Sequence, residues 1–380
     1  PVLLIGGGVS RNAARSLRPA LKASGIPVMT TWNGADRIDS ANRYYLGRPN
    51  TWGQRGPNLL MAQADLIIAV GTRLGMQQTG FNWQNFGKNA LVIHVDIDRS
   101  ELEKGHPRTD VKIEADADDF LARLLDAQYE PWTEWVEYGR EVLDLLPLND
   151  PANETSSGFV SPYRFYAELS DLATSDDLII PCSSGGANSV SMQVLEQKDG
   201  QVIITDKGLA SMGYGLAGAI GASMAHPGRR TFLIEGDGGF AQNLQELATV
   251  AVNRLPIKTF IFANNGYGSI RMTQKNYFGG AYLGCDTETG LGFPDWHKLF
   301  ESFGIKSMDI TDDWTADAAT LDALSSDDPW GFIVPIDPLQ TYWPKITSRI
   351  TADGSMESNP LYMMSPDLSP ELFNQVTRFL

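Results

Sequence analysis

Two apolar segments with a helix-like segment between them place the tightest constraint on how this chain folds. Residues 231–235 and 257–263 read as buried strands, and the helix-like segment between them ends before Pro256. A strand, a helix and a strand in this order form a βαβ unit, and its right-handed crossover makes the two strands parallel. The carboxyl ends of both strands therefore lie at one edge of a sheet, just before Asp237 and Asn264.

Oxygen ligands and backbone N–H groups are expected to meet at this edge. Gly238 and Gly239 open the helix, where unpaired N–H groups and the helix dipole favour a phosphate. The carboxylate of Asp237 and the amide oxygen of Asn264 suit Mg²⁺, which takes its other ligands from phosphates and water. Gly-Asp-Gly or Asn-Asn-Gly alone is also typical of an ordinary turn. Their combination at two strand ends favours a site for a Mg²⁺-bound diphosphate.

Apolar strands alternate with helix-like segments in the first part of the chain as well. Strand-like runs precede Gly6-Gly7-Gly8, Gly71 and Asp96. This alternation predicts an α/β fold in which helices cover both faces of a parallel sheet. Glycine turns at strand ends are typical of dinucleotide-binding sites. These glycines do not form the fingerprint GxGxxG of such sites, so a tight turn explains them equally well.

We expect two parallel-sheet domains. The first is Rossmann-like and covers residues 1–145, and a Pro/Asn/Ser-rich linker follows at residues 146–160. The second domain, which contains the diphosphate site, covers residues 161–350, and residues 351–380 form a C-terminal tail.

Composition excludes several classes of protein. The 380 residues carry 46 acidic and 30 basic side chains, and the net charge of −16 repels nucleic acid and anionic membranes. No apolar run is long enough to cross a bilayer and no secretory signal pattern opens the sequence, so we expect a cytoplasmic protein. Cys182 and Cys285 are too few and too far apart for a disulfide framework or a zinc site.

The diphosphate motif resembles a known cofactor signature. Residues 236–238 (GDG), followed by Asn264-Asn265 and Tyr267-Gly268, are similar to the signature of enzymes that use thiamine diphosphate (ThDP, also called thiamine pyrophosphate or TPP). The stretches LLIGGGV, WGQRGPN and ADLIIAVGTRLG resemble the middle domain of the acetohydroxyacid synthase and pyruvate oxidase group. The segment after Lys275 resembles an acetolactate synthase-like subgroup with bacterial surface-polysaccharide functions.

The resemblance implies roles for individual residues. Asp237, Asn264 and the carbonyl of Gly266 would bind Mg²⁺. Met212 would lie between the two rings of ThDP, and the carbonyl of Ala210 would accept a hydrogen bond from the cofactor's amino group. An ordinary core methionine is the alternative for Met212. The other cofactor-binding residues that the resemblance implies are Ser184, Gly185, Gly186, Gly238, Gly239, Tyr267 and Gly268.

A flavin site is also implied for some members of the group. Where FAD is bound, residues that align with Gly71, Arg73, Asp96 and Asp116 approach the flavin nucleotide. Surface ion pairs explain the same charged residues equally well. FAD therefore stays open as a further cofactor beside ThDP and Mg²⁺.

The resemblance implies decarboxylation of a 2-keto acid such as pyruvate, followed by carboligation to a keto acceptor. The alternatives are a decarboxylase of the benzoylformate or indolepyruvate type that releases a free aldehyde, and a remnant without catalytic activity. In the family the catalytic glutamate lies on a pyrimidine-binding domain that has no counterpart here, so no catalytic residue is assigned. We expect that domain upstream of Pro1 or on another chain, the active site at an interface of a homo-oligomer (a dimer or tetramer), and no activity of the isolated chain.

Overall fold

The computed structural model describes residues 1–380. The chain forms two compact units, one made of Pro1–Ala152 and Trp343–Leu380 and the other of Asn153–Tyr342. Each unit contains an all-parallel sheet with helices, which confirms the predicted α/β fold with two parallel-sheet domains. The domain boundaries that we derived from the sequence stay predictions. None of the helices is long and apolar enough to cross a membrane.

The sheet of the first unit has five strands in the order β2-β1-β3-β4-β5. The strands in the centre are apolar on both faces because helices cover both sides of the sheet. The strands are β1 (Val2–Ile5), β2 (Val28–Thr30), β3 (Leu66–Val70), β4 (Leu91–Asp96) and β5 (Val111–Glu114). The helices are α1 (Arg11–Ser16), α2 (Arg18–Ser24), α3 (Arg55–Gln63), α4 (Met76–Thr79), α5 (Arg99–Glu103), α6 (Ala117–Asp126) and α7 (Thr133–Leu145), with 3-10 helices at Trp32–Arg37 and Trp83–Asn85.

The first helical segment, over residues 11–24, is not one continuous helix. The chain forms two short helices that meet at Leu17, which ends α1 and precedes α2. Pro19 lies in the first turn of α2, where its missing N–H is tolerated, whereas in a continuous helix it would interrupt the hydrogen-bond pattern.

The sheet of the second unit has six parallel strands in the order β10-β11-β9-β8-β6-β7. The strands are β6 (Leu178–Ile180), β7 (Val202–Ile203), β8 (Thr231–Gly236), β9 (Ile257–Ala263), β10 (Lys306–Asp309) and β11 (Trp330–Pro335). The helices are α8 (Pro162–Leu172), α9 (Gly185–Val194), α10 (Tyr214–Ala225), α11 (Asp237–Phe240), α12 (Leu247–Asn253), α13 (Gly268–Tyr277), α14 (Trp296–Ser302) and α15 (Ala318–Ser325), with a 3-10 helix at Leu244–Glu246.

The core of the second unit holds the central strands β8 and β9 in place. Leu233, Phe240 and Ile261 are fully buried in one apolar cluster with α10 and α12. The other face of the sheet carries an aromatic cluster in which Phe165 of α8 packs against Phe260 and Phe262 of β9. Helix α8 begins at Pro162, because the Ser161 side chain accepts a hydrogen bond from the Arg164 N–H and Pro162 occupies the first turn.

The last 38 residues return to the first unit. They contain an antiparallel hairpin, β12 (Ser348–Ile350) and β13 (Met356–Ser358), and helix α16 (Pro370–Val376). The segment is bound to α3, since Arg55 donates to the Met364 carbonyl (2.8 Å) and Gln63 donates to the Val376 carbonyl (2.9 Å). The sequence did not predict this packing of the tail.

Candidate functional site

Strands β8 and β9 are adjacent and parallel, with Gly236 beside Phe262 at their carboxyl ends. Asp237 follows β8 directly and Asn264 follows β9, so the fold brings both residues to one sheet edge as predicted. The helical connection is less regular than the sequence indicated. It consists of the single turn α11, a 3-10 helix and α12, which ends at Arg254 in the left-handed conformation, two residues before Pro256.

The three predicted metal ligands lie close together, just beyond the carboxyl ends of β8 and β9. Oδ2 of Asp237 accepts hydrogen bonds from the N–H groups of Asn264 (3.0 Å) and Gly266 (3.3 Å), and Oδ1 accepts one from Gly238 (2.7 Å). One terminal atom of the Asn264 amide lies 3.3 Å from Oδ1 of Asp237 and 2.7 Å from the Gly266 carbonyl oxygen. If this terminal atom is nitrogen, the amide donates to both oxygens. If it is oxygen, oxygens of Asp237, Asn264 and Gly266 face one another. The second arrangement is the one that a bound cation requires.

The Asp237 carboxylate is buried without a positive partner. The residue is 1% exposed, and it forms no ion pair with lysine, arginine or histidine. Burial raises its pKa to about 6, and the N–H groups of Gly238, Asn264 and Gly266 act in the opposite direction. A cation beside this carboxylate would supply the charge that the chain does not, so the donor set fits Mg²⁺. No three His, Cys, Asp or Glu side chains cluster as metal ligands, which leaves the mixed set of a carboxylate, an amide and a carbonyl.

Two helices of ten residues begin at the same place. Helix α9 starts after Ser184 and α13 starts after Tyr267, and neither of these residues caps its helix with a side-chain hydrogen bond. The N–H groups at the start of α9 are therefore left for another acceptor, as are those of Ser269 and Ile270 in α13, whereas the Gly268 N–H donates to the Gly266 carbonyl (3.1 Å). A phosphate is the acceptor that such helix ends favour.

All twelve residues that the sequence assigned to cofactor binding line one cavity of about 240 Å³. Their individual roles stay predictions. Met212 is 39% exposed and lies in the cavity wall, so the alternative of an ordinary core methionine is wrong. Ala210 lies in the same wall with φ of 60°, a backbone conformation that is uncommon for a residue with a side chain.

Glycines in the wall allow close approach of neighbouring groups. A Cβ at Gly238 would lie less than 3.0 Å from two ring carbons of Tyr267, and one at Gly239 would lie 2.8 Å from the Glu235 carboxylate. A Cβ at Gly186 would lie 2.6–2.7 Å from the ring and hydroxyl of Tyr342. These positions need glycine for packing, whatever they bind.

Glu235 is a site residue that the sequence analysis missed. It lines the cavity and is 2% exposed, at the end of β8. Burial raises its pKa to about 7, while N–H groups of Gly213, Gly215 and Leu216 at the start of α10 lower it. An acidic residue that ends a buried strand directly before Gly-Asp-Gly is the sequence signal that could have identified it.

Arg271 supports the metal-ligand loop from the first turn of α13. Its guanidinium donates to the Pro338 carbonyl (2.8 Å) and, at 3.5 Å, to the carbonyls of Asn264 and Asn265. Nε lies 3.3 Å from Oδ2 of Asp286. The loop that carries two of the three predicted ligands is thus held by a buried cation, which the sequence analysis did not identify.

Three of the four residues linked to FAD have structural roles in the first unit. The Asp116 carboxylate accepts hydrogen bonds from the N–H groups of Asp118 (2.9 Å) and Asp119 (3.1 Å) and so caps α6. Asp96 accepts one from Asp98 (3.0 Å), and the Arg73 side chain is exposed. Gly71 has φ of 62° and packs against Gly8, which favours the tight-turn interpretation of the first glycines. FAD binding stays a prediction.

The sequence of the chain matches two domains of one enzyme family. Residues 184–333 match the C-terminal TPP-binding domain of thiamine pyrophosphate enzymes, and residues 1–124 match their central domain. The chain therefore carries the central and the TPP-binding domains of the thiamine pyrophosphate enzymes. This confirms the resemblance to ThDP enzymes at the level of these two domains.

Curated proteins similar to this chain include acetolactate synthase large subunits. The chain is 32% identical over 348 residues to the large subunit of acetolactate synthase isozyme 2 of Escherichia coli K12, which covers 91% of this chain and 61% of that protein. It is 32% identical over 338 residues to the acetolactate synthase large subunit of Porphyra purpurea (87% and 55%), and 30% identical over 351 residues to a probable one of Methanocaldococcus jannaschii (90% and 58%). The chain spans somewhat more than half the length of the curated relatives it matches.

Proposed function

We propose that this chain is the part of a ThDP- and Mg²⁺-dependent enzyme that holds the diphosphate end of the cofactor. The reaction that we propose is acetolactate synthase-like: a 2-keto acid such as pyruvate is decarboxylated, and the remaining unit is joined to a keto acid or keto sugar. The observation that carries this proposal is the convergence of the Asp237 carboxylate, the Asn264 amide and the Gly266 carbonyl beside two helix N-termini without a side-chain cap.

The residues of the chain would divide the binding of the cofactor between them. Asp237, Asn264 and the Gly266 carbonyl would hold Mg²⁺, and the N–H groups at the starts of α9 and α13 would hold the phosphates. Met212 and the Ala210 carbonyl, which line the same cavity, would orient the ring end of the cofactor. Bound ThDP would supply the chemistry by which a 2-keto acid loses CO₂.

The carboxylate that activates the cofactor would come from a further domain, beside the two that this chain contains. Asp237 and Glu235 are the two carboxylates in the cavity wall. Asp237 is assigned to the metal, and Glu235 lies against the start of α10, where a Cβ at Gly215 would be 2.4 Å from one of its carboxylate oxygens. We therefore propose that a pyrimidine-binding domain, carried by the same polypeptide or by a neighbouring subunit of a homo-oligomer, contributes the glutamate.

The test is to express the chain alone and together with the in-frame coding sequence upstream of it. The longer protein should release CO₂ from pyruvate in the presence of ThDP and Mg²⁺, and Asp237→Ala should abolish this activity. The chain alone should turn over nothing. Robust decarboxylation by the 380-residue chain would contradict the requirement for a pyrimidine-binding domain.

Product analysis separates the alternatives. A product that forms only when a keto acceptor is present supports carboligation. Free aldehyde without acceptor dependence would instead support a simple decarboxylase. If Asp237→Ala leaves ThDP binding by the longer protein unchanged, the proposed metal site is wrong.

A further inference from the structure

A tyrosine hydroxyl in the cavity wall has no role in the interactions described so far. Tyr342 lines the cavity, and its hydroxyl makes no hydrogen bond to another residue of the chain. Burial, together with the nearby Asp237 carboxylate, raises its pKa above the ordinary value of about 10. The hydroxyl is therefore protonated at neutral pH and is a hydrogen-bond donor.

The fold holds this tyrosine at the same sheet edge as the predicted metal ligands. Strand β11 ends at Pro335 beside Ala263 of β9, and the Ile336 N–H donates to the Ala263 carbonyl (3.0 Å). The loop that follows is tied down further along. Asp337 accepts a hydrogen bond from the Ser156 N–H (3.0 Å), and Gln340 accepts one from the Thr155 hydroxyl (2.8 Å).

The ring of Tyr342 lies directly against the first turn of α9. A Cβ at Gly186 would be 2.6 Å from Cε1 of the ring and 2.7 Å from its hydroxyl oxygen. The hydroxyl is thus close to N–H groups that no side chain caps. A donor in this position adds to the donors that a helix N-terminus already offers an anion.

The charge of the cavity wall makes a neutral hydrogen-bond donor important for binding an anion. None of the lining residues is lysine, arginine or histidine, whereas two are acidic. An anionic ligand must therefore rely on a metal ion and on neutral donors. Among the tyrosines of the wall, Tyr267 already accepts a hydrogen bond from Gln242 (3.1 Å), which leaves Tyr342 as the one whose hydroxyl has no partner.

We propose that the Tyr342 hydroxyl donates a hydrogen bond to the phosphate that lies at the start of α9, and so acts as a diphosphate-binding residue. The inference rests on the proposed ThDP site. It adds a contact from a loop that follows β11, far in sequence from the Gly-Asp-Gly motif.

The test measures affinity and requires no turnover. Tyr342→Phe removes only the hydroxyl, and Tyr282→Phe is the matched control because Tyr282 is exposed and lies outside the cavity. Isothermal titration of the full chain with ThDP in the presence of Mg²⁺ should give a dissociation constant about tenfold higher for Tyr342→Phe, the loss typical of a hydrogen bond to a charged group. Tyr282→Phe should bind like the unaltered chain.

A second probe locates the contact. Inorganic diphosphate with Mg²⁺ should lose affinity for Tyr342→Phe by the same factor as ThDP. A loss for ThDP alone would place the contact on the ring end of the cofactor and overturn the proposal. Equal affinity of Tyr342→Phe and the unaltered chain for both probes would also overturn it.

Gly186→Ala gives an independent check, because its new methyl group would displace the Tyr342 ring. Its affinity for diphosphate should fall, and adding Tyr342→Phe should produce little further loss, since both changes remove one contact. Losses that multiply would contradict the proposal. If the unaltered, folded chain binds neither probe, it is the proposed function that fails. An unchanged urea midpoint for Tyr342→Phe would show that the fold is intact.

Discussion

Gly236 and Gly238, which flank Asp237, should differ in how replacement by alanine changes the stability of the chain. At Gly238 a new methyl group would overlap Cδ1 and Cε1 of Tyr267 at less than 3.0 Å, whereas at Gly236 nothing lies within 4 Å. Neither glycine has a positive φ, so alanine adds no backbone strain at either position. The two variants therefore differ only in what the methyl group meets.

The expected magnitudes follow from these distances. The Tyr267 ring must retreat by roughly 1 Å to restore an ordinary carbon contact of about 3.5 Å. Its backbone N–H donates to the Cys285 carbonyl (2.8 Å) and its hydroxyl accepts from Gln242, so the ring cannot move freely. We expect Gly238→Ala to lower the free energy of unfolding by about 1–3 kcal/mol, as overpacking does. Gly236→Ala should be neutral or stabilise by about 0.4–1 kcal/mol, because alanine restricts the unfolded chain.

The assay is urea unfolding without cofactor, followed by far-UV circular dichroism and tryptophan fluorescence. The transition midpoint of Gly238→Ala should lie clearly below that of Gly236→Ala. A Gly238→Ala chain as stable as the Gly236→Ala chain would refute the argument that Tyr267 packs on this glycine.

Three further changes test other parts of the structure. Arg271→Lys cannot reproduce the hydrogen bonds to the Asn264 and Pro338 carbonyls. The affinity for Mg²⁺ and ThDP should therefore fall about tenfold in calorimetric titration. Unchanged affinity would show that the loop keeps its conformation without these bonds. Burial lowers the pKa of His94, so the folded chain keeps it neutral while the unfolded chain takes up a proton below about pH 6.5. Stability should therefore fall as the pH drops from 7 towards 5, and less so in His94→Gln; parallel pH curves of urea midpoints would contradict this. Lys258→Met leaves the Ser326 and Asp328 carbonyls without their donor, so it should lower the free energy of unfolding in urea by about 1–3 kcal/mol. A more stable variant would show that burying the ammonium group costs more than its hydrogen bonds contribute.

The parts of the fold that the sequence predicted correctly depend on short-range patterns. Apolar runs marked β8 and β9, and the handedness of the crossover placed Asp237 and Asn264 together. The same reasoning cannot find Tyr342, because its place in the cavity depends on the position of β11 and on hydrogen bonds to residues 155 and 156. Sequence patterns do not identify Arg271 for a similar reason, since its hydrogen-bond partners include a carbonyl 67 residues away in the chain.

Local patterns also hide competing choices. Residues 12–23 are rich in helix-forming residues, yet Pro19 favours a new first turn over continuation, and the segment forms two helices that meet at Leu17. Met212 shows the opposite case. Its residue type fits a buried core, and only the folded chain shows that it lies in the wall of a cavity.

We propose that the cavity beside Asp237 binds a Mg²⁺-bound diphosphate cofactor. Equilibrium titration of the purified chain with ThDP, with and without Mg²⁺, tests it most directly, and Asp237→Asn is the matched variant because it keeps the shape of the side chain and removes its charge. We expect saturable binding of one ThDP per chain that requires Mg²⁺ and is lost in Asp237→Asn. Binding of equal strength without Mg²⁺ or in the folded Asp237→Asn chain, or no binding by the folded unaltered chain, would contradict it.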